Sequence, residues 1–128
     1  MAFGQIAVGG QSALFFGLPG NPVAVMATFY FFARDALFQL QGTAPQHLPL
    51  IQAISTDAIK KRSGRTEYQR GVLTYDEDGI AQVRLTGAQG SGILSSMSEA
   101  NCMVVLGHDD DDIPAGQPVI AIPFAGLI

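Results

Sequence analysis

A single cysteine, Cys102, among 128 residues excludes an internal disulfide. Cys102 opens the apolar run Cys102–Leu106, where a buried, inert thiol is expected rather than a nucleophile. One free thiol fits a reducing, cytoplasmic setting. Histidine is scarce as well. His47 and His108 have neither metal-ligand spacing nor a serine or cysteine partner in a catalytic context, so both read as surface or linker residues. Only 14% of residues are charged, and the net charge is −4. An acidic chain is a poor partner for nucleic acid over its whole surface. Met1–Gly10 lacks a basic residue ahead of an apolar core, the pattern of a signal peptide. No long apolar run is unbroken: Val23–Leu40 comes nearest to a membrane span, but Arg34, Asp35 and Gln39 interrupt it, and a buried helix is expected instead. Internal repeats are absent, and Asp109–Asp112 is the sole low-complexity tract. Four adjacent carboxylates cannot all point at one cation, and calcium-loop spacing is missing, so a solvated turn is expected there and no metal site. Paired carboxylates suited to metal-assisted hydrolysis are also lacking.

What is present is apolar content, 48% of the chain, enough for a packed core. The length allows one ordinary domain, or a small domain plus part of another. The first half reads as strand, tight turn and long helix. Ala13–Gly17 is a short apolar run expected to be a buried strand. Asn21 can cap a helix whose first position is Pro22, and Gly42 can end it after about 20 residues, roughly 30 Å. Apolar residues lie nearly all round this helix, among them Val25, Met26, Phe29, Phe32, Leu37 and Leu40, so it needs partners on several sides. With one strand before it, this half reads as the end of a larger α/β domain. Thr43–Pro49 is a plausible linker. From Leu50 to Phe124 the chain reads as all-β. Leu50–Ile59 is one strand, and Glu67–Tyr75 and Ile80–Thr86 flank the turn signal Asp76–Gly79. Gly92–Met97, Cys102–Leu106 and Gln117–Pro123 supply three more, the pattern of a small barrel or sandwich.

Three segments carry chemistry. In Gly17–Pro22 (GLPGNP), Gly17 and Gly20 permit positive φ and close backbone approach, prolines stiffen the loop, and the following helix start favours anions. A plain strand-to-helix turn explains the same composition equally well. Within Lys60–Arg70, five cations face one carboxylate, Glu67. An anion-binding rim is one reading. A solvated basic loop is the better one for Lys60, Lys61 and Arg62 individually. Arg70 differs, because a strand position fixes the direction of its planar fork. Gly87–Gly92 (GAQGSG) allows close approach around the Ser91 hydroxyl, or is an ordinary β-turn.

Leu14–Pro22 (LFFGLPGNP), Tyr68–Gly71 (YQRG) and Gln89–Ser91 (QGS), in this order, resemble the ligand-contacting segments of the molybdopterin molybdenumtransferases, the molybdenum insertase family that includes the E domain of gephyrin. The resemblance runs from about Ala13 to Phe124. It implies an α/β fragment plus an all-β part: residues 1–46 as the C-terminal part of a molybdopterin-binding α/β domain, and residues 47–128 as a C-terminal β-barrel. It implies ligand-lining roles for Pro19, Gly20, Asn21 and Pro22, a cleft-facing role for Arg70, and a weaker role for Ser91 beside it. The family reaction joins molybdate to the dithiolene of adenylylated molybdopterin with loss of AMP, assisted by Mg²⁺, in cytoplasmic homodimers. Two anions must be held side by side, work that helix starts and arginine forks suit. The acidic residues linked to metal and molybdate chemistry belong to earlier family domains and are not in this chain, so a piece that keeps part of the cleft without turning over is expected. Two other readings remain. One is an interaction or oligomerisation module of the gephyrin type, motivated by the apolar surface of Val23–Leu40. The other is an unrelated α+β domain.

Overall fold

The computed structural model describes residues 1–87 and 98–125, apart from the side chains of Pro22 and Val23. The expected strand Gly92–Met97 and the turn carrying Ser91 lie outside these residues. The chain divides into two compact units, Met1–Gln46 and His47–Ile128.

The first unit opens with an antiparallel ribbon of β1 (Ala2–Val8) and β2 (Gln11–Gly17), registered from Ala2↔Gly17 to Val8↔Gln11. Gly9 and Gly10 join the strands with φ of 57° and 80°, the left-handed values a two-residue hairpin turn needs and only glycine adopts freely. Two findings here depart from the sequence reading. A strand precedes Ala13–Gly17, because Gly9-Gly10 is a hairpin signal that the Gly-rich character of Met1–Gly10 masked. And β2 is not buried: Leu14 and Phe15 are exposed, since a two-stranded ribbon carries no second layer of its own.

The helix spans Pro22–Leu40 as expected, but in three pieces: α1 (Pro22–Thr28), a π-helical turn (Phe29–Ala33) and α2 (Arg34–Leu40). Thr28 stands at the junction and its hydroxyl donates to the carbonyls of Ala24 (2.8 Å) and Val25 (3.2 Å), the back-bonding that bends helices. The Arg34 N–H then reaches back to Phe29 O, and the wide turn accommodates the run Phe29–Phe32, with the rings of Phe29 and Tyr30 edge to face at 5.4 Å. Arg34 is buried, its guanidinium paired with Asp35 (3.2 Å), donating to Gln46 O (3.2 Å) and lying over the Phe38 ring (4.8 Å). Gly42 ends the helix at φ 75°. Its N–H bonds Gln39 O (3.0 Å) and that of Thr43 bonds Phe38 O (2.9 Å), which is the Schellman pattern.

The second unit is a closed five-stranded barrel in the order β3-β5-β4-β6-β7, with β3 (Ile51–Ser55), β4 (Glu67–Tyr75), β5 (Ala81–Leu85), β6 (Cys102–Leu106) and β7 (Pro118–Pro123). All pairs are antiparallel except β3 with β5. Closure satisfies both edges of every strand, which suits so small a sheet. The β4–β5 turn is the expected Asp76–Gly79: the Asp76 carboxylate accepts the N–H groups of Asp78 and Ile80, both at 2.9 Å, and Gly79 takes φ 78°. Alternation turns Gly71, Leu73, Val83, Cys102, Val104, Leu106 and Ala121 into one core, joined by Ala53, Ile59, Ala81 and Val119. Burial pushes the Cys102 thiol up to about 11, the inert state anticipated for it.

Candidate functional site

The Leu18–Asn21 turn is positioned by the end of β2 and the start of α1. Asn21 caps the helix: its side-chain oxygen accepts the Ala24 N–H (3.3 Å) and its carbonyl accepts that of Val25 (2.8 Å). Neither Gly17 nor Gly20 uses positive φ. Gly17 is needed for space instead, since a Cβ there would meet the Ala2 Cβ and the Phe15 ring edge at 3.3 Å. Gly20 is exposed and faces open space. Pro19 is half-buried, and Pro22 is the first residue of α1, as expected. The sheet behind this turn is an antiparallel ribbon, so the general preference of ligands for the carboxyl edge of a parallel sheet gives it no support.

Arg70 lies on β4 opposite Met103, and Met103 lies opposite Ile122. This row alternates with the core row, so it is on the outward face of the barrel. It is nevertheless buried: Arg70 is 2% exposed, Met103 4% and Ile122 3%. Desolvation lowers the Arg70 pKa, the sign of a guanidinium taken out of bulk water. Its backbone is fixed by Thr86, whose N–H and hydroxyl both reach Arg70 O (3.1 and 3.3 Å). One residue on, Gly71 is pinched between strands. A Cβ there would meet Arg84 O and Val83 Cγ2 at 3.0 Å and Cys102 Sγ at 3.3 Å. Asn101, which the sequence did not single out, holds β4 from the other side. Its side chain accepts the Leu73 N–H (2.6 Å) and donates to Leu73 O (3.0 Å), the bonding of one further strand residue.

The basic segment behaves differently from a solvated loop at one position. Lys61 is 5% exposed, and its ammonium donates to the carbonyls of Arg62 (2.6 Å), Arg65 (2.7 Å) and Asp110 (3.4 Å). The loop wraps round its own cation, with Gly64 at φ 105°. Lys60 and Arg62 stay exposed, as expected, and Arg65 is exposed beside them. Within Asp109–Asp112, the carboxylates of Asp110 and Asp112 are tied into the local backbone. Asp110 accepts the Gly107 N–H (2.6 Å) and Asp112 accepts the Lys61 N–H (2.7 Å), and among the described residues no three His, Cys, Asp or Glu gather to hold an ion. Backbone bonding to Lys61, then the Lys60 charge, holds the Asp112 carboxyl below the usual range. His108 lies beside Asp109 (2.9 Å) on the surface. Among the described residues no helix is long and apolar enough to cross a membrane.

Residues 52–124 match the description of the MoeA C-terminal region, domain IV. Among curated proteins, the chain is 37% identical over 128 residues to a molybdopterin molybdenumtransferase of Haemophilus influenzae, covering 99% of this chain and 31% of that protein. It is 34% identical over 116 residues to gephyrin of Dictyostelium discoideum, covering 85% of this chain and 16% of that one. Among solved structures, a molybdopterin biosynthesis moeA protein from Pyrococcus horikoshii superposes with a TM-score of 0.63 at 33% identity, over 80% of this chain and 26% of its own. A molybdenum cofactor biosynthesis protein from Pyrococcus furiosus superposes with the same score at 32% identity, over 81% and 36%. The chain thus spans less than a third of the curated relatives named here.

Proposed function

Because the chain belongs to the MoeA family of molybdenum cofactor biosynthesis, whose C-terminal region it contains, we propose that it forms one wall of the cleft in which molybdate is inserted into adenylylated molybdopterin with release of AMP. The observation that carries this reading is Arg70, a guanidinium with 2% exposure set outward on a barrel strand, within the segment that resembles the family's ligand strand. A desolvated cation gains more from an incoming oxyanion than a hydrated one, because it has less water to lose. In this reading the first unit contributes the backbone of Pro19–Pro22 to pterin binding, and, independently, the second unit contributes Arg70, which takes a phosphate or molybdate oxygen, with Ser91 assisting. Mg²⁺ assists the family reaction, yet the described residues offer no donor set that fits it, so this chain's share of the chemistry is anion holding by Arg70 and the turn. The role of these residues in this reading is to bind and orient the ligands. Within a longer protein it would work as part of a cytoplasmic homodimer.

The test is thermal unfolding with molybdate, AMP and molybdopterin, in the native chain and in Arg70→Lys, which keeps the charge and loses the fork. A ligand at 100 times its Kd stabilises by about 2.7 kcal/mol. A melting shift in the native chain that disappears in the variant supports the reading. An equal shift in both, or none in either, sinks it, and molybdate insertion by the chain alone would overturn its binding-only role.

A second reading, a module for subunit contact, is favoured by the exposed apolar residues of the first unit, Phe3 at 64%, Ile6 at 58%, Val8 at 76% and Leu40 at 60%. A monomer by light scattering that ignores a hydrophobic dye would remove it.

A further inference from the structure

Arg70 belongs to a row that crosses the outward face of the barrel. Leu85 pairs with Gly71, so the next residue, Thr86, stands opposite Arg70, and the row runs Thr86, Arg70, Met103, Ile122. Thr86 is 1% exposed, as deeply buried as the 2% of Arg70. Opposite residues of antiparallel strands bring their Cβ atoms within about 4.5–5.5 Å on one face, so Thr86 and Met103 flank Arg70.

Thr86 also holds Arg70 through the backbone. β5 ends at Leu85, and Thr86 carries the pairing one residue further. Its N–H and its hydroxyl donate to the same acceptor, Arg70 O, at 3.1 and 3.3 Å. Ladder ends belong to the parts of a fold that open most readily. Here an opening would separate both donors from the carbonyl at once. Buried polar groups left without partners are costly, so the hydroxyl raises the cost of opening beyond what the N–H supplies. Asn101 holds the strand one residue on: its N–H donates to Gly71 O (3.0 Å), and its side chain bonds Leu73. Thr86 differs in sharing both the face and the carbonyl of Arg70.

A guanidinium recognises an oxyanion through a planar fork, whose direction starts from the backbone at its Cα. Sites of this kind tolerate errors of about 0.5 Å and 10–20°. A swing of the residue-70 carbonyl turns the peptide plane beside that Cα, and the fork with it. We propose that Thr86 is a positioning residue for the anion site: its hydroxyl, bonded to Arg70 O, holds the Arg70 fork in the direction that receives a phosphate or molybdate oxygen. The inference rests on the ligand role proposed above for Arg70.

The test is titration calorimetry of the whole chain with molybdate and, separately, with AMP, alongside hydrogen exchange of the residue-86 amide, in the native chain, Thr86→Val and Thr86→Ser. Valine keeps the shape and the N–H but lacks the hydroxyl, and serine restores it. Thr86→Val should weaken binding, and lower the protection of that amide, by about fivefold, the size of one lost hydrogen bond. Thr86→Ser should recover most of both. Val119→Ala, a change in the barrel core, controls for general destabilisation: it should lower the melting temperature and leave the affinity native. Native affinity in Thr86→Val, no recovery in Thr86→Ser, or an equal loss of affinity in Val119→Ala would each overturn the role of Thr86. Failure of the ligand role of Arg70 looks different: the native chain and Arg70→Lys would bind alike, or neither would bind, and both proposals would fall.

Discussion

Gly71 shows how a barrel can depend on a missing side chain. Its Cα faces Arg84 O, Val83 and Cys102, and a methyl group there would sit 3.0 Å from two atoms of a rigid neighbouring strand. Gly71→Ala should therefore destabilise the barrel by about 1–3 kcal/mol, read as a lower urea midpoint, while Gly87→Ala, where the new methyl meets nothing, should leave it unchanged. Cys102 opposite makes a pH-dependent prediction. Burial raises its thiol from 9.0 to about 11. Below pH 9 both folded and unfolded chains keep the proton, so the group is neutral with respect to stability. Between 9 and about 11 the unfolded chain ionises first, and stability falls as pH rises. Urea midpoints across that window should slope down more steeply for the native chain than for Cys102→Ala. At this scale the sequence was readable where a residue's own chemistry decides its state, as with the inert thiol. Lys61 was misread as solvated, because only the backbone path round it reveals three carbonyls waiting for an ammonium.

Among the elements, helix ends were legible and helix interiors were not. Asn21, Pro22 and Gly42 mark the start and stop through strictly local preferences, and each stands where expected. Gly42→Ala should cost about 1–2 kcal/mol, since an alanine at φ 75° is strained, and should appear as earlier loss of helical circular dichroism on heating. The π turn between α1 and α2 escaped the sequence reading because it depends on how Thr28 back-bonds and on how the Phe29 and Tyr30 rings pack edge to face. The β4–β5 hairpin was readable from Asp76–Gly79, where an aspartate cap and a glycine suffice. The β1–β2 hairpin carried an equally local signal in Gly9-Gly10 that went unread, and what remained non-local was its failure to bury Leu14 and Phe15.

For the whole molecule, the organisation turns on the segment between α2 and β3. Residues 43–47 are exposed and belong to neither helix nor strand. Exposed backbone without ladder bonds is where proteases cut first. Limited proteolysis should therefore nick this stretch and release a barrel fragment beginning near His47. If the two units are independent, that fragment keeps a cooperative thermal transition, seen by circular dichroism; loss of the transition on nicking would show that the barrel needs the first unit.

The β4–β5 hairpin, the strands β6 and β7, the helix boundaries, the inert thiol and the kinship with molybdenum cofactor biosynthesis were determined by the sequence itself, because each rests on neighbours within a few residues or on short motifs in a fixed order. The tertiary structure alone decided the rest. It closed the five strands through the parallel pairing of β3 with β5, turned Arg70 to the outward face and buried it there, and curled the basic loop round Lys61. These depend on contacts between residues far apart in the chain, where packing and desolvation outweigh any preference a residue has alone.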